Sequence, residues 1–227
     1  MSPGALPRRR SVEALDAGVP PAEAERSLRD MEWVHRRLGG RAAIRRGLLP
    51  ALRDLGLPRL TLLDAGCGTG HAGADLAQAL AREGVRVDLV GLDRQVSHAA
   101  LAPRSRTVAG DALAIPLSDR SVDVVFSSLF LHHFADEEVA GLLRESSRVA
   151  RRLVAHFDVG RHRAALLLVS ALGPLVFDSR HSLADGKASV KQAFTVPEVE
   201  ALARSALPGA SAERVGLLGW RLLWRRP

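Results

Sequence analysis

The densest chemical signal in the chain is Asp64-Ala65-Gly66-Cys67-Gly68-Thr69-Gly70, which closes an apolar burst and precedes a helical stretch. Glycines at such a junction let the backbone turn sharply and approach a ligand, and the free N–H groups of the next helix suit an anionic group. His71 stands where the third glycine of the dinucleotide fingerprint belongs, which argues against a nicotinamide or flavin cofactor. Asp64, directly ahead of the glycines, repels a pyrophosphate and suits a ligand bearing positive charge. Asp93 ends the next apolar burst with a carboxylate able to accept both hydroxyl protons of a ribose. Asp111, in Gly110-Asp111-Ala112, is placed to accept from the exocyclic amine of a purine. Any one of these acids also reads as a solvated strand end; at successive strand ends around one glycine-rich turn they form a composite signal.

A second group of residues could act on a reacting partner. His132 and His133 follow the fourth apolar burst, and an imidazole of near-neutral pKa there could take a proton from a phenol or hydroxyl. Equally, flanked by Leu131 and Phe134, either could satisfy backbone groups at a helix start. Asp158 ends the fifth burst and is a candidate for base or substrate hydrogen bonding, or for capping the following helix. Cys67 reads as a small buried filler. As the only cysteine it forms no internal disulfide, and no clustered Cys/His spacing indicates a metal.

These residues need a frame to hold them. Apolar bursts at Leu60 to Ala65, Arg86 to Leu92, Arg106 to Ala109, Val122 to Ser127 and Arg152 to Phe157 alternate with helical candidates at Gly73 to Arg82, Val96 to Leu101 and Asp136 to Val149. Bursts without strict alternation, joined by helices, predict a doubly wound α/β fold whose parallel sheet is covered on both faces. Two helices, broken at Gly39-Gly40, are expected ahead of the first strand, with Trp33, His35 and Arg36 on the first as a lid or, for Trp33, a core anchor. Residues 1–25 lack a sustained apolar period and are expected as a flexible tail to one domain over 26–227. Within it, 158–194 is expected as an insertion covering the substrate: an apolar helix near Ala164 to Leu172, then a polar stretch with Arg180, His181, Asp185 and Lys191. Thr195 and Glu198 form a capping box for a helix ended by Pro208-Gly209, and Glu213 to Leu218 with Arg221 to Trp224 read as a terminal hairpin around Gly219-Trp220.

The glycine-rich run, Asp93, Gly110-Asp111-Ala112 with Ile115-Pro116-Leu117, and Ser121-Val122-Asp123-Val124-Val125-Phe126 through Leu131-His132-His133-Phe134 resemble the successive motifs of class I S-adenosylmethionine-dependent methyltransferases. The resemblance implies a Rossmann-like seven-stranded sheet with its last strand antiparallel. It also implies S-adenosylmethionine held by Asp64, Ala65, Gly66, Cys67, Gly68 and Gly70 near the methionine moiety, by Asp93 at the ribose and by Asp111 with Ala112 at the adenine, with Arg94 and Ser127 beside them. Leu28-Arg29-Asp30 to Arg37-Leu38-Gly39-Gly40, Phe157-Asp158 and Asp185-Gly186 through Phe194-Thr195 are further similar to a bacterial group of small-molecule methyltransferases associated with polyketide or pigment pathways.

Composition narrows the field. The chain has 227 residues, 47% hydrophobic and 25% charged, enough for one sizeable core. No apolar run reaches the roughly 18 residues that a membrane span needs, and no signal-peptide core is visible, so a cytoplasmic protein is expected. The net charge of +7 is carried almost entirely by arginines interleaved with acids, and aromatic content is only 4%, so nucleic acid is not the expected partner. The expected activity is methyl transfer from S-adenosylmethionine to a small, largely apolar acceptor, at a phenolic or polyketide hydroxyl. The alternatives are carbon methylation of a quinone-like acceptor, or cofactor binding without turnover.

Overall fold

The computed structural model describes residues 6–95 and 106–227. The expected helix from Val96 to Leu101 lies outside the described residues. Three helices precede the sheet: α1 (Ala14–Ala17), α2 (Pro21–Arg37) and α3 (Gly40–Arg53). Between α2 and α3, Gly39 takes φ +86°, a left-handed turn open to glycine at little cost. Then come β1 (Arg59–Ala65), α4 (His71–Ala81), β2 (Arg86–Asp93), β3 (Arg106–Ala109) and β4 (Val122–Ser128), a 3₁₀ turn at Leu131–His133, α5 (Asp136–Val149) and β5 (Ala150–Val159). The chain ends with α6 (Arg163–Val176), α7 (Ser182–Gln192), α8 (Val196–Ala206), β6 (Ser211–Val215) and β7 (Gly219–Arg225).

The seven strands form one sheet in the order β3-β2-β1-β4-β5-β7-β6, with β7 antiparallel to both its neighbours. Successive residues of β1 feed opposite cores. Leu63 packs with Val125, Val154, Leu142 and Trp220, whereas Leu62 packs with Val124, Leu153, Leu48 and Leu76. Both faces being covered is why these strands are apolar without alternating. The order reverses between β1 and β4, and a sheet of this kind opens a crevice at the carboxyl ends of its strands there.

Several local expectations change. Residues 6–25, expected as a tail, lie against the domain through polar contacts: Arg9 N–H donates to the Lys191 carbonyl, and the Ala14 and Leu15 amides donate to Asp185. The absence of an apolar period hid this strap because hydrogen bonds rather than apolar burial hold it. The stretch after Asp178, expected only as polar, contains α7, whose polar residues partly face the strap and α2. The terminal hairpin turns at Gly216-Leu217-Leu218, so Gly219 and Trp220 belong to β7, where Trp220 is 1% exposed and its indole N–H donates to the Phe194 carbonyl. Trp33 is no core anchor, being 38% exposed. The capping box on α8 forms as expected, with Glu198 accepting from the Thr195 amide.

Candidate active site

The turn after β1 carries three glycines in the left-handed region, Gly66 (φ +68°), Gly68 (φ +50°) and Gly70 (φ +69°). The Gly66 and Cys67 amides donate to the Leu92 carbonyl, which pins the turn to the end of β2. A Cβ on Gly66 would stand 2.2 Å from the Phe130 ring, so that glycine is needed for close packing. A Cβ on Gly68 would meet nothing nearer than Leu28 Cδ2 at 4.0 Å, which leaves space above the turn for a ligand. Asp93 sits beside it, accepting from the Gly68 amide at 2.8 Å and the Gln95 amide at 2.8 Å. Asp111 follows β3 and accepts from the Leu113 amide, next to the buried Ala112. Arg94 is exposed beside Asp93.

Two members of the expected cofactor set have other surroundings. Asp64 is buried and accepts from the Gly73 amide at 3.1 Å, bracing the first turn of α4; burial pushes its carboxyl up to about 7. Ser127 turns into the core, fully buried and hydrogen-bonded to His156 Nδ1 at 2.7 Å. The residue facing the crevice is its neighbour Ser128, whose hydroxyl pairs with His35 Nε2 at 3.1 Å. Burial pushes the Cys67 thiol up, and the nearby Asp64 and Asp93 charges add to this, so it stays protonated. That fits the filler role expected for it.

Helix α2 lies over the turn. His35 is buried against Gly40 and packs edge-on to His71 with ring centroids 5.3 Å apart. Desolvation, with His71 and Arg41 nearby, pushes His35 down to about 3, so it is neutral. Asp30, on the same helix, accepts from the Asp178 and Ser179 amides and the Ser182 hydroxyl, tying α2 to the start of α7.

Beside the glycine-rich turn, helices α2, α6 and α7 enclose a chamber. Its walls include Met31, Val34, Leu129, Leu168, Leu172 and Phe177, and its polar end holds Glu13, His132 and His133. Leu129 takes φ +54°, an uncommon conformation for a branched residue, at the point where β4 delivers the chain to these histidines. Asp158 does not cap α6; the His162 side chain does, accepting from the Ala165 amide. Asp158 instead holds His132 twice, accepting from its amide at 3.0 Å and from Nδ1 at 2.7 Å. Glu13 stands 3.5 Å from His132 Nε2 on the other side. Burial alone would lower the His132 pKa, but the Asp158 charge and hydrogen bond together with Glu13 raise it to about 10. His133 is less buried and pairs through Nδ1 with Asp16 at 2.7 Å. The base role expected for His132 or His133 therefore meets imidazoles already engaged by carboxylates.

The structure thus gathers Gly66, Gly68, Asp93, Asp111 and Ala112 along one edge and His132, His133 and Asp158 at the chamber. Sequence reasoning missed Glu13, Asp30 and Ser128, and named His35 only as part of a lid, without its pairing to Ser128. Glu13 lay in a segment without periodicity, and Asp30 and His35 were single polar residues on a helix, so only tertiary packing reveals them.

The residues present suit an adenosyl sulfonium: open space above Gly68 and carboxylates at two successive strand ends. Comparison with known proteins points the same way. A family model described as a methyltransferase domain matches residues 63–153. A malonyl-[acyl-carrier protein] O-methyltransferase of Dechloromonas aromatica is 35% identical over 173 residues, covering 74% of this chain and 59% of that protein. A demethylmenaquinone methyltransferase of Roseiflexus castenholzii is 38% identical over 111 residues, 46% of this chain and 45% of that protein. The chain thus spans less than two thirds of the length of these curated relatives. Magnesium protoporphyrin IX methyltransferase from Synechocystis, solved with bound SAH, shares the fold at a TM-score of 0.61 and 18% identity, covering 91% of this chain and 95% of that one. Motif order, sheet topology and the matched model agree: residues 63–153 are a methyltransferase domain of the class I S-adenosylmethionine-dependent type.

Proposed function

We propose that this protein transfers a methyl group from S-adenosylmethionine to an oxygen of a small, largely apolar acceptor seated in the chamber between α2, α6 and α7. The observation that carries the reading is the chamber itself, with apolar walls and a polar end built from His132, His133 and Glu13 beside the carboxyl edge of β4. Ligand sites of this kind bury most of an apolar ligand and fix it through a few polar groups. Bound S-adenosylmethionine supplies an electrophilic methyl group on a sulfonium. The glycine-rich turn with Asp93, Asp111 and Ala112 holds its nucleoside and amino-acid ends. Met31, Val34, Leu168 and Leu172 exclude water and orient the acceptor. Alignment of reactants accounts for roughly 7–11 kcal/mol of barrier lowering in favourable cases.

Asp158 fixes the orientation of His132, whose two ring nitrogens face Asp158 and Glu13 at the polar end of the chamber. In this reading it positions the acceptor rather than deprotonating it. Oxygen as the target is supported by the polar end of the chamber and by the name of the malonyl-[acyl-carrier protein] O-methyltransferase relative. The demethylmenaquinone methyltransferase relative keeps carbon methylation as the competing outcome. Incubation with methyl-deuterated S-adenosylmethionine and a panel of alkyl phenols, polyketide lactones, quinols and fatty acids, read by mass spectrometry, tests it. Label on an oxygen of an apolar acceptor is the expected product. Label on ring carbon only, or SAH affinity with no labelled product, overturns it.

A further inference from the structure

We infer that Glu13, His132 and His133 form a binding site for one divalent transition-metal ion at the polar end of the chamber. Each offers one ligand atom, and those atoms lie within 4.8 Å of one another. His132 Nε2 and Glu13 Oε1 are 3.5 Å apart, longer than the 2.7–2.9 Å usual for a charge-assisted hydrogen bond. Two donors on a tetrahedral ion with bonds of about 2.0–2.1 Å stand roughly 3.3 Å apart, close to that spacing.

The surroundings are those of a metal site. The Nδ1 atom of each imidazole is engaged by a carboxylate, Asp158 for His132 and Asp16 for His133, both at 2.7 Å. Carboxylate partners on the far ring nitrogen fix the tautomer and aim of ligating histidines. Glu13 is held in turn by the Ser189 hydroxyl at 2.6 Å and the Gln192 amide at 2.7 Å. Glu13 and Asp158, both buried, bring more negative charge than one imidazolium balances. Two nitrogens and one oxygen favour zinc, manganese, iron or cobalt over calcium or magnesium. The three residues line the chamber, so the remaining coordination positions face the acceptor. A hydroxyl bound there would have its pKa lowered by the ion and would release its proton to solvent water. That last role rests on the methyl-transfer reading; the binding does not.

Titration calorimetry of the tag-free chain with Zn²⁺, and the visible spectrum with Co²⁺, test the site directly. One equivalent with micromolar affinity is expected, weakened at least tenfold in Glu13→Gln and in His133→Gln and unchanged in His162→Ala and His181→Ala. The half-exposed His133 is the variant least able to disturb folding. Absence of saturable binding at millimolar ion, or wild-type affinity in both Glu13→Gln and His133→Gln, overturns the proposal and leaves the cluster an ion-paired clamp. SAH affinity, measured on the same samples, separates the readings: its loss removes the cofactor assignment, and its retention without metal binding removes only the metal site.

Discussion

At the scale of single residues, two neighbouring glycines have different jobs. Gly68 borders open space, so Gly68→Ala should weaken SAH binding at least tenfold in calorimetry while leaving the melting temperature within a few degrees. Gly66→Ala puts a methyl into the Phe130 ring at a positive φ, and a stability loss of about 1–3 kcal/mol by denaturant titration is expected. Asp158→Asn should cut turnover at least tenfold with unchanged SAH affinity, because it loosens His132 and touches nothing in the nucleoside site. Equal losses in both quantities would argue for a purely structural role. Of these residues, the glycine-rich turn and the strand-end acids were legible in the sequence, since short-range spacing defines them. Glu13 was not, because its partners Ser189 and Gln192 lie far along the chain.

At the scale of elements, Asp30 connects α2 to the segment leading into α7 through three donors. Leaving buried donors unsatisfied costs roughly 1–3 kcal/mol each, partly recovered where water reaches them. Asp30→Ala should therefore destabilise the fold by about 2–4 kcal/mol and raise the KM for acceptor more than that for cofactor. A KM for acceptor that does not move would detach α2 from the chamber. Strands buried on both faces announce themselves as unbroken apolar runs, which is why β1 and β4 were readable nearly to the residue. Helix α7 was legible only as a polar stretch, because Asp185, Ser189 and Gln192 spend their polarity on the strap instead of solvent.

At the scale of the whole molecule, burial of His35 and His156 ties stability to pH. Desolvation holds both near 3, well below the usual 6.5, so below about 6.5 the unfolded chain binds protons that the folded one refuses. Each group then removes about 1.4 kcal/mol per pH unit on acidification between about 6.5 and 3. Asp64, raised to about 7 by burial, acts oppositely between about 4 and 7 and offsets one of them. Denaturant titrations should show stability falling as pH drops through that window, with a shallower fall in His156→Gln. An identical slope in wild type and variant would mean that His156 is not held neutral.

The strap has a further consequence. Arg9 bonds to Lys191 and Glu13 to Ser189, so the strap finds its partners only once α7 has been made. The polar end of the chamber is therefore closed by a contact between segments some 176 residues apart, and a chain cut before Ser189 would leave that end open to solvent.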